Sequence, residues 1–465
     1  MSTKHKKYIF LTLLLTLISL ALLLQGLNIG SAYLELKSTA VSPPQPYLVK
    51  DIYDGTGSGA ASMQFSLITF QDELYFRAFD EVYGEELWKT DGTVTNTVLL
   101  KDISPGTASS SFFSSAIITD TLYFSGSGVT QLFALWRTDG TEAGTEVIYE
   151  FSNSSPTWLT VVDDKLFFEA NLRQLWMSDG TVTGTKMLMA FNSGGSLNYL
   201  TSFNQMVFFS GYEGQEFVDS EFVYELWRSD GTVTGTVRVK DIYPGTTGDP
   251  SPVYLTVVDD KLFFVATDPD HGRELWVTDG TEQGTSLVKD INPSGDSLPI
   301  DLTQVNSRLF FAADDGSNGN ELWVSDGTQN GTFMLKDINP SGSSNPLRFV
   351  ETDGLLFFVA DDGVHGQEIW VSDGTESGTV LVEDINPTGN ATTDYQTTQF
   401  GALGQYFISL DDGVHGVEWW RSDGTPDGTY MIGDINPTGD GVDWYPGSAG
   451  YANGRFLLLP EMMVL

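Results

Sequence analysis

Cysteine is missing from this sequence of 465 residues, and histidine and basic residues are scarce. Without cysteine the chain has no disulfide, thiolate metal ligand, cysteine nucleophile or acylated cysteine anchor. Its 23 lysine and arginine residues stand against 62 aspartate and glutamate residues, a net charge of -39 that repels polyphosphates. We therefore expect no nucleic-acid partner. The hydrophobic content of 40% nevertheless suffices for a packed core, which excludes intrinsic disorder.

Long apolar runs are also absent, except at the N-terminus. Lys4, Lys6 and Lys7 precede an uncharged apolar run at residues 8–24, and small residues follow up to Ala32. This layout predicts a secretory signal cleaved near Ala32, or an uncleaved membrane anchor that would be the chain's one contact with a membrane. In both cases the rest of the chain is exported. Residues 33–46 are interpreted as a linker.

Eight tryptophans recur at a spacing of about 47 residues, each followed by a turn that reads Ser/Thr-Asp-Gly-Thr after one intervening residue. They are Trp88, Trp136, Trp176, Trp227, Trp276, Trp323, Trp370 and Trp420. One unit, residues 255–291, contains four short β-rich runs separated by turn signals. So small a sheet cannot bury both faces alone. The pattern predicts an all-β fold, a β-propeller of four-stranded antiparallel blades.

The chain ends predict how the ring closes. The first two strands of the unit occur a ninth time at residues 448–460, and an isolated fourth strand lies at residues 47–52. With residues 462–465 as a third strand, these segments would form a composite ninth blade, so that residues 47–465 are one domain. The alternative is an eight-bladed ring with loose terminal strands.

Most recurring residues are interpreted as structural. The aspartate of each SDGTxxGT turn is expected to accept hydrogen bonds from its own turn. The second glycine, for example Gly331, is expected to occupy a left-handed backbone position. The repeat tryptophans are expected to fill the space between blades. The alternatives are a rim of cation-binding carboxylates and sugar-stacking tryptophans.

Three histidines, His271, His365 and His415, share one position in the second turn, where other copies carry Tyr83 or Asn318. A position that accepts such exchange predicts a turn residue, with a metal or catalytic role as the alternative.

The loops after the fourth strands begin Asp-Ile-Asn-Pro in four copies. Oxygen ligands at alternate positions with glycine at the sixth resemble the start of a calcium loop. The candidate ligands are Asp290, Asn292, Asp296, Asp384, Asn386, Asp434, Asn436 and Asp440. Because each loop has only one or two carboxylates, bound calcium would be held weakly. The alternative is that these residues cap proline turns.

Catalytic templates are missing: there is no nucleophile-elbow serine, no HExxH and no Walker loop. The second and third copies lose the Lys-Asp-Ile ending, and the fourth has a lengthened second turn. A specific site would lie in these irregular loops, and drift of neutral loops is the alternative. The lengthened turn offers candidate residues. It contains Tyr212, Glu213, Glu216, Asp219 and Glu221.

With its repeat motif, the chain resembles the bacterial exported proteins built from ELWxxDGT repeats. Four copies read ELW outright, and Ala134, Gln174, Ile369 and Trp419 mark the departures. The resemblance implies a repeated β-structure on a secreted or cell-surface bacterial protein and carries no activity. The turn is also similar to the Asp-box hairpin of sialidase-type propellers, which supports the fold alone.

These observations predict an extracellular propeller that binds a protein or a glycan. Two other functions stay open: a glycan hydrolase or lyase that uses carboxylates of the irregular second to fourth repeats, and a structural surface module rigidified by calcium.

Overall fold

Nine antiparallel four-stranded sheets make up the described part of the chain, which confirms the predicted all-β propeller. The computed structural model describes residues 47–50, 52, 67–127, 132–191, 197–212, 223–244, 249–392, 398–434, 436–437, 439–440, 449–452, 455–458 and 463–464. The predicted signal or anchor and the linker lie outside these residues. Within them there is no helix that is long and apolar enough to span a membrane.

The sheets are numbered as blades 1 to 9 in chain order. Blades 1 to 4 consist of β2 (Ile68–Phe70), β3 (Glu73–Asp80), β4 (Gly84–Thr90), β5 (Val98–Lys101); β6 (Ser115–Ile118), β7 (Thr121–Ser127), β8 (Phe133–Thr138), β9 (Glu146–Phe151); β10 (Thr157–Val162), β11 (Lys165–Ala170), β12 (Gln174–Ser178), β13 (Lys186–Ala190); and β14 (Asn198–Phe203), β15 (Met206–Tyr212), β16 (Tyr224–Ser229), β17 (Val237–Arg238).

Blades 5 to 8 consist of β18 (Val253–Val258), β19 (Lys261–Asp268), β20 (Gly272–Thr278), β21 (Ser286–Lys289); β22 (Ile300–Val305), β23 (Arg308–Asp314), β24 (Asn320–Ser325), β25 (Phe333–Lys336); β26 (Leu347–Thr352), β27 (Leu355–Asp361), β28 (Gln367–Ser372), β29 (Val380–Leu381); and β30 (Gln399–Ala402), β31 (Gln405–Asp411), β32 (Val417–Ser422), β33 (Tyr430–Met431). A 3-10 helix, Pro426–Gly428, lies in the last turn of blade 8.

The first strand of each blade is the innermost one. In blades 1 to 8 each strand pairs with the next in sequence, so the first and fourth strands are the two edges. The first strands of successive blades contact one another from β6 in blade 2 to β30 in blade 8. These edges therefore gather on the inside of the array, and side chains at equivalent positions in them become neighbours.

Blade 9 joins the two ends of the chain. It consists of β34 (Ala449–Ala452), β35 (Arg455–Leu458), β36 (Met463–Val464) and β1 (Tyr47–Leu48). Tyr47 pairs with Val464 and Leu48 with Met463 in an antiparallel ladder. Strand β34 in turn contacts β2 and β3 of blade 1. The composite ninth blade is thus confirmed, and the alternative of eight blades with loose terminal strands is wrong.

A lysine contact recurs between blades and includes blade 9. The Lys289 Nζ donates to the Thr332 carbonyl at 2.8 Å and lies 5.6 Å from the centre of the Trp323 ring in the next blade. The Lys50 Nζ, just after β1, makes the same pair of contacts with Thr97 at 2.7 Å and Trp88 at 5.6 Å. Blade 9 therefore packs on blade 1 in the way that blade 5 packs on blade 6.

The repeat tryptophans lie between blades, as predicted. Trp370 of blade 7, for example, is 6% exposed and packs with Phe310 and Leu335 of blade 6. Seven of the eight are buried, and Trp420 is partly buried against the blade 7 side. Burying an apolar side chain of this size stabilises the fold by about 2–3 kcal/mol, so these contacts hold successive sheets together.

The SDGTxxGT turns are built around their aspartates, as predicted. The Asp326 carboxylate accepts from the Thr328 backbone N–H at 2.8 Å and from its hydroxyl at 2.7 Å. The Thr328 hydrogen bonds lower the pKa of Asp326. The same two bonds recur in all eight turns.

The glycines of this turn correct one expectation. The left-handed position is the first glycine, with φ of 85° at Gly327, and not the second glycine. The second glycine is needed for space instead, because a Cβ on Gly331 would lie 2.0 Å from the Asp326 Oδ1. Sequence reasoning assigned the wrong cause because both needs select the same residue type.

Candidate functional site

One position on the innermost strands breaks the symmetry of the ring. It is the second residue of the first strand in five successive blades, 3 to 7. These five residues form the inner-strand arc: Trp158, Tyr199, Tyr254, Asp301 and Arg348. Ser114 and Thr398, four residues before the last residue of β6 and β30, hold the same position in blades 2 and 8. Large side chains are thus grouped on consecutive blades.

Every residue of the arc has a left-handed backbone. The φ angles are 57°, 59°, 57°, 55° and 63°, and each accompanies a shift in the pairing with the second strand. A left-handed conformation costs a bulky residue about 1–2 kcal/mol. Strain of this kind is concentrated at functional sites. Five consecutive positions with this conformation make the arc a candidate functional site.

Threonine hydroxyls hold these bulges in place and connect neighbouring blades. The Thr160 hydroxyl donates to the Trp158 carbonyl at 2.9 Å and contacts the Leu200 carbonyl of blade 4 at 3.0 Å. Thr256 does the same with the carbonyls of Tyr254 and Leu302. In blades 3 to 6 the local sequence Trp/Tyr/Asp-Leu-Thr therefore fixes the bulge and presents its large side chain from a rigid strand.

The aromatic side chains of the arc touch each other. The ring centres of Trp158 and Tyr199 are 5.7 Å apart, and those of Tyr199 and Tyr254 are 6.1 Å apart. The rings are tilted by 41° and 59°, within the usual range of aromatic pairs. Trp158 is 42% exposed and Tyr254 is 40% exposed. These three residues, here called the aromatic row, form a continuous surface that is open to a ligand.

Charged groups continue the arc beyond the row. The Arg348 backbone N–H donates to the Asp301 Oδ2 at 2.9 Å. Burial raises the pKa of Asp301, while Arg348 acts in the opposite direction. This end of the arc combines a hydrogen-bond acceptor with a guanidinium donor. The arc can therefore offer a ligand both stacking surfaces and polar groups.

Sequence reasoning missed this site although a signal was present. At the same register of the first strand, five consecutive copies read Trp, Tyr, Tyr, Asp and Arg, whereas the copies on either side have Ser114 and Thr398. This signal is weaker than that of the eight repeat tryptophans, to which Trp158 does not belong. The sequence also does not reveal that the first strand is the innermost one, which is what brings these side chains together.

The predicted calcium loops are closed by their own hydrogen bonds. The Asn292 Oδ1 accepts from the Ser294 N–H, and its Nδ2 donates to the Asp296 carbonyl at 3.0 Å. The Asp296 Oδ1 accepts from the Arg273 backbone N–H at 2.8 Å. The corresponding bonds form at Asn386, and at Asn436 with Asp440. These side chains therefore make the turn-capping contacts of the alternative that the sequence left open, and calcium binding stays a prediction.

The first aspartates of these loops behave differently. Asp434 is exposed, whereas the Oδ1 atoms of Asp290 and Asp384 are buried and find no hydrogen-bond partner in the described part of the chain. Asp102 and Asp337, at the equivalent positions of two other loops, share this feature. No group of three histidine, aspartate or glutamate residues that could hold a metal occurs among the described residues.

The glutamate of the ELW motif has a role that the sequence did not suggest. Glu321 is fully buried and accepts from the N–H groups of Ile338 and Ser344 at 2.8 Å and from the Ser344 hydroxyl at 2.6 Å. Burial raises its pKa. Burial likewise raises the pKa of Glu86 to about 7 and of Glu225 to about 8. Each glutamate anchors the loop that leads to the next blade.

The histidines are turn residues, as predicted. The Nδ1 of His365 lies 2.8 Å from the Asp362 carboxylate, and that carboxylate also accepts from the His365 N–H. His271 and His415 make the same contacts with Asp268 and Asp412. The hydrogen bond to the aspartate raises the pKa of each histidine. Each imidazole is thus held within its own turn.

Most of the irregular turn of blade 4 lies outside the described residues, including Glu213, Glu216, Asp219 and Glu221. Tyr212 is described and is buried, with its ring 6.1 Å from that of Tyr224. Tyr212 therefore belongs to the core of the hairpin.

Comparison with known proteins gives structural likeness only. No family model matches the chain, and no curated protein matches it. The computationally designed Ika8 protein is 14% identical over 77% of this chain and 98% of its own, with a TM-score of 0.44. A puromycin hydrolase is 14% identical over 74% of this chain and 57% of its own, with a TM-score of 0.37. The β-propeller domain of the Trilobed protease from Pyrococcus furiosus is 11% identical over 67% and 95%, with a TM-score of 0.36.

Proposed function

We propose that this protein is an exported bacterial binding scaffold whose protein or glycan ligand lies on the inner-strand arc. One observation carries the proposal: at one position of the inner strands, five consecutive blades present large side chains from a left-handed backbone. Backbone strain is concentrated at functional sites. The signal-like layout of residues 1–32 supports export.

The arc has the composition of a binding surface. Tyrosine and tryptophan supply large contact areas with little conformational entropy to lose. A few polar groups beside them then determine orientation and specificity, and Asp301 and Arg348 occupy that place. Because the arc lies on β-strands rather than on loops, its geometry is fixed before the ligand arrives, which lowers the cost of binding.

Binding is tested with a defined panel of probes. The purified full chain is titrated by calorimetry with neutral polysaccharides, anionic polysaccharides, and acidic and basic model peptides. We expect at least one neutral or peptide probe to bind, no anionic polymer to bind, and Tyr254→Ala to weaken binding about tenfold, the loss of one stacking contact. Phe333→Ala, which removes an exposed aromatic ring from outer strand β25, is the control and should bind normally.

Three results contradict the proposal: no probe binds, binding is unaffected by Tyr254→Ala, or the anionic polymers bind best. Chromatography of the glycan probes after incubation separates binding from catalysis. A hydrolase or lyase would release shorter fragments, whereas the binding scaffold leaves the chain length unchanged.

Calcium stabilisation is a separate prediction, supported by the buried Oδ1 atoms of Asp290 and Asp384. A ligand that binds only the folded state raises stability by mass action. If calcium binds at these loops, the thermal unfolding midpoint should rise saturably with calcium at millimolar concentrations and fixed ionic strength, but not with magnesium. The Asp290→Asn/Asp384→Asn variant should reduce the rise. Equal midpoints in calcium and chelator would leave these aspartates as structural residues of the loops.

A further inference from the structure

From the chemistry of the inner-strand arc we infer that the ligand is a neutral oligosaccharide chain, whose successive sugar rings lie on Trp158, Tyr199 and Tyr254. This inference rests on the proposed function and names the class of ligand for the same site. Four observations support a neutral oligosaccharide as the ligand.

The aromatic row is suited to a chain of ring-shaped units. Its three ring centres follow one another at 5.7 and 6.1 Å, one from each of three adjacent blades. Each ring has an apolar face and a polar edge, the indole N–H or the phenol O–H. A sugar ring has the complementary character, because its C–H groups form apolar faces while its hydroxyls surround the edge. Consecutive sugars can therefore stack on consecutive blades.

The charge of the protein excludes anionic ligands that could use the same rings. The net charge is -39, and the one residue of the arc with a guanidinium, Arg348, donates its backbone N–H to the carboxylate of Asp301. Stacking of nucleobases would bring phosphates into this field, as would acidic polysaccharides with their carboxylates or sulfates. The ligand that stacks on the row is therefore uncharged or cationic.

The polar end of the arc favours a ligand that both donates and accepts hydrogen bonds. A cationic ligand would be attracted by the aromatic faces and by Asp301, but it would meet the positive charge of Arg348 in the adjacent blade. Sugar hydroxyls both donate and accept, so they can bind Asp301 as donors and Arg348 as acceptors. The arc thus matches a ligand that carries both kinds of hydrogen-bonding group and no net charge.

The backbone of the inner strands is unsuited to adding a peptide strand. Peptides commonly bind sheets by pairing with an exposed edge. Here each innermost edge in blades 3 to 7 carries a bulge, which disrupts the ladder that an added strand would extend. The carbonyls of Trp158, Tyr199, Tyr254 and Asp301 already accept from threonine hydroxyls. Recognition therefore depends on side chains rather than on backbone pairing.

The test titrates the full chain with neutral oligosaccharides of two to six units, from the cello-, laminari-, manno- and chito-series, and with basic and acidic hexapeptides. We expect one neutral series to bind, with affinity rising at least tenfold from two units to five and then levelling off. Trp158→Ala and Tyr254→Ala should each weaken binding about tenfold, and the double variant at least fiftyfold. Asp301→Asn should reduce affinity less than either. Phe333→Ala is the control, and circular dichroism checks that every variant is folded.

The outcomes separate the inference from the proposed function. If a peptide binds, Tyr254→Ala abolishes that binding and no sugar series binds, the inference of a glycan ligand is overturned. The arc is then still a binding site. Sugar binding that is insensitive to the row variants overturns both the site and the inference. If no sugar and no peptide binds, the proposed function fails as well.

Discussion

Replacing Glu321 with alanine should destabilise the protein by about 3–5 kcal/mol, the usual cost of leaving a buried polar network without its partner. The carboxylate is fully buried and accepts from two backbone N–H groups and one hydroxyl. Alanine leaves all three donors without an acceptor and also creates a cavity. The measurement is the free energy of unfolding from denaturant titration at pH 5. A loss below about 1 kcal/mol would contradict the anchoring role.

Glutamine at this position provides a matched variant. The Oε2 accepts from the Ile338 N–H and the Ser344 hydroxyl, and the Oε1 accepts from the Ser344 N–H. In either orientation of the glutamine amide, its NH₂ donor would face a backbone N–H donor. Glu321→Gln should therefore lower the free energy of unfolding by about 1–2 kcal/mol. A protonated carboxyl avoids this conflict, because its O–H can donate to the Ser344 hydroxyl while the same oxygen still accepts. The order of stability at pH 5 should therefore be glutamate, glutamine, alanine.

The same glutamates determine the pH dependence of stability. Burial raises the pKa of Glu86, Glu274 and Glu368 to about 7 and that of Glu225 to about 8, against an ordinary value of 4.5. Between pH 4.5 and about 8 the folded protein therefore holds more protons than the unfolded chain. Stability must then fall as pH rises through this window, by about 1.4 kcal/mol for each unit of raised pKa at most.

The turn aspartates act in the opposite direction at lower pH. Their pKa values are lowered by threonine hydrogen bonds, so their contribution is present above about pH 4 and is lost as the folded carboxylates become protonated. Stability should therefore be greatest near pH 5 and decline by several kcal/mol towards pH 8. Unfolding curves across this range give the profile directly, and a stability that rises from pH 5 to pH 8 would refute the assignment.

A histidine variant separates the two sources of the decline. The raised pKa of His271, His365 and His415 gives stability that is present at low pH and lost as the pH rises through the folded value, the same sign as the glutamates. Asn318 already occupies the equivalent position in blade 6 and donates to Asp315 at 2.7 Å. Changing all three histidines to asparagine should therefore keep the fold. The decline in stability with rising pH that remains in this variant is then due to the glutamates.

Replacing Gly331 with alanine should lower the free energy of unfolding by about 2–3 kcal/mol, the second large effect. The carboxylate of Asp326 lies where the new Cβ must go, so it would be displaced and lose its two hydrogen bonds. Gly342→Ala, in the next loop of the same blade, is the control, since a Cβ there meets nothing within 4 Å. It should change the free energy of unfolding by less than about 0.5 kcal/mol. Equal effects of the two substitutions would contradict the account of the turn.

The first repeat indicates how the turn can tolerate a side chain. It has Asn96 in place of this glycine, and the Asn96 Nδ2 donates to the Asp91 Oδ2 at 2.7 Å. Gly331→Asn should therefore be less destabilising than Gly331→Ala, although asparagine is the larger residue. The comparison separates steric displacement of the aspartate from the loss of its hydrogen bonds.

Features that repeat eight times could be predicted, because each copy confirms the others. The four-stranded unit, the buried tryptophans, the turn aspartates and the composite ninth blade follow from periodicity and turn chemistry. The role of Glu321 was missed because a charged residue is expected to be exposed, and only the fold shows that the donors of the next loop surround it. Gly331 was assigned to the wrong cause, since tight space and a left-handed backbone both require glycine.

The inner-strand arc could not be predicted by the same reasoning. Trp158, Tyr254 and Arg348 differ from copy to copy, and a comparison of repeats treats such variation as drift. Their proximity depends on which strand is innermost, a property of the assembled ring and not of any single unit. Non-repeating residues become informative only once the ring brings them together.

The most direct test of the account is the rate of oxidation of Trp158 by N-bromosuccinimide, followed by mass spectrometry with and without the tightest-binding neutral hexasaccharide. Of the described tryptophans, Trp158 is the most exposed, at 42%. We predict that it is oxidised before the buried repeat tryptophans, and that saturating hexasaccharide protects it while leaving the order of the others unchanged. Oxidation of Trp158 at the same rate in the saturated complex would contradict the placement of the ligand on the inner-strand arc.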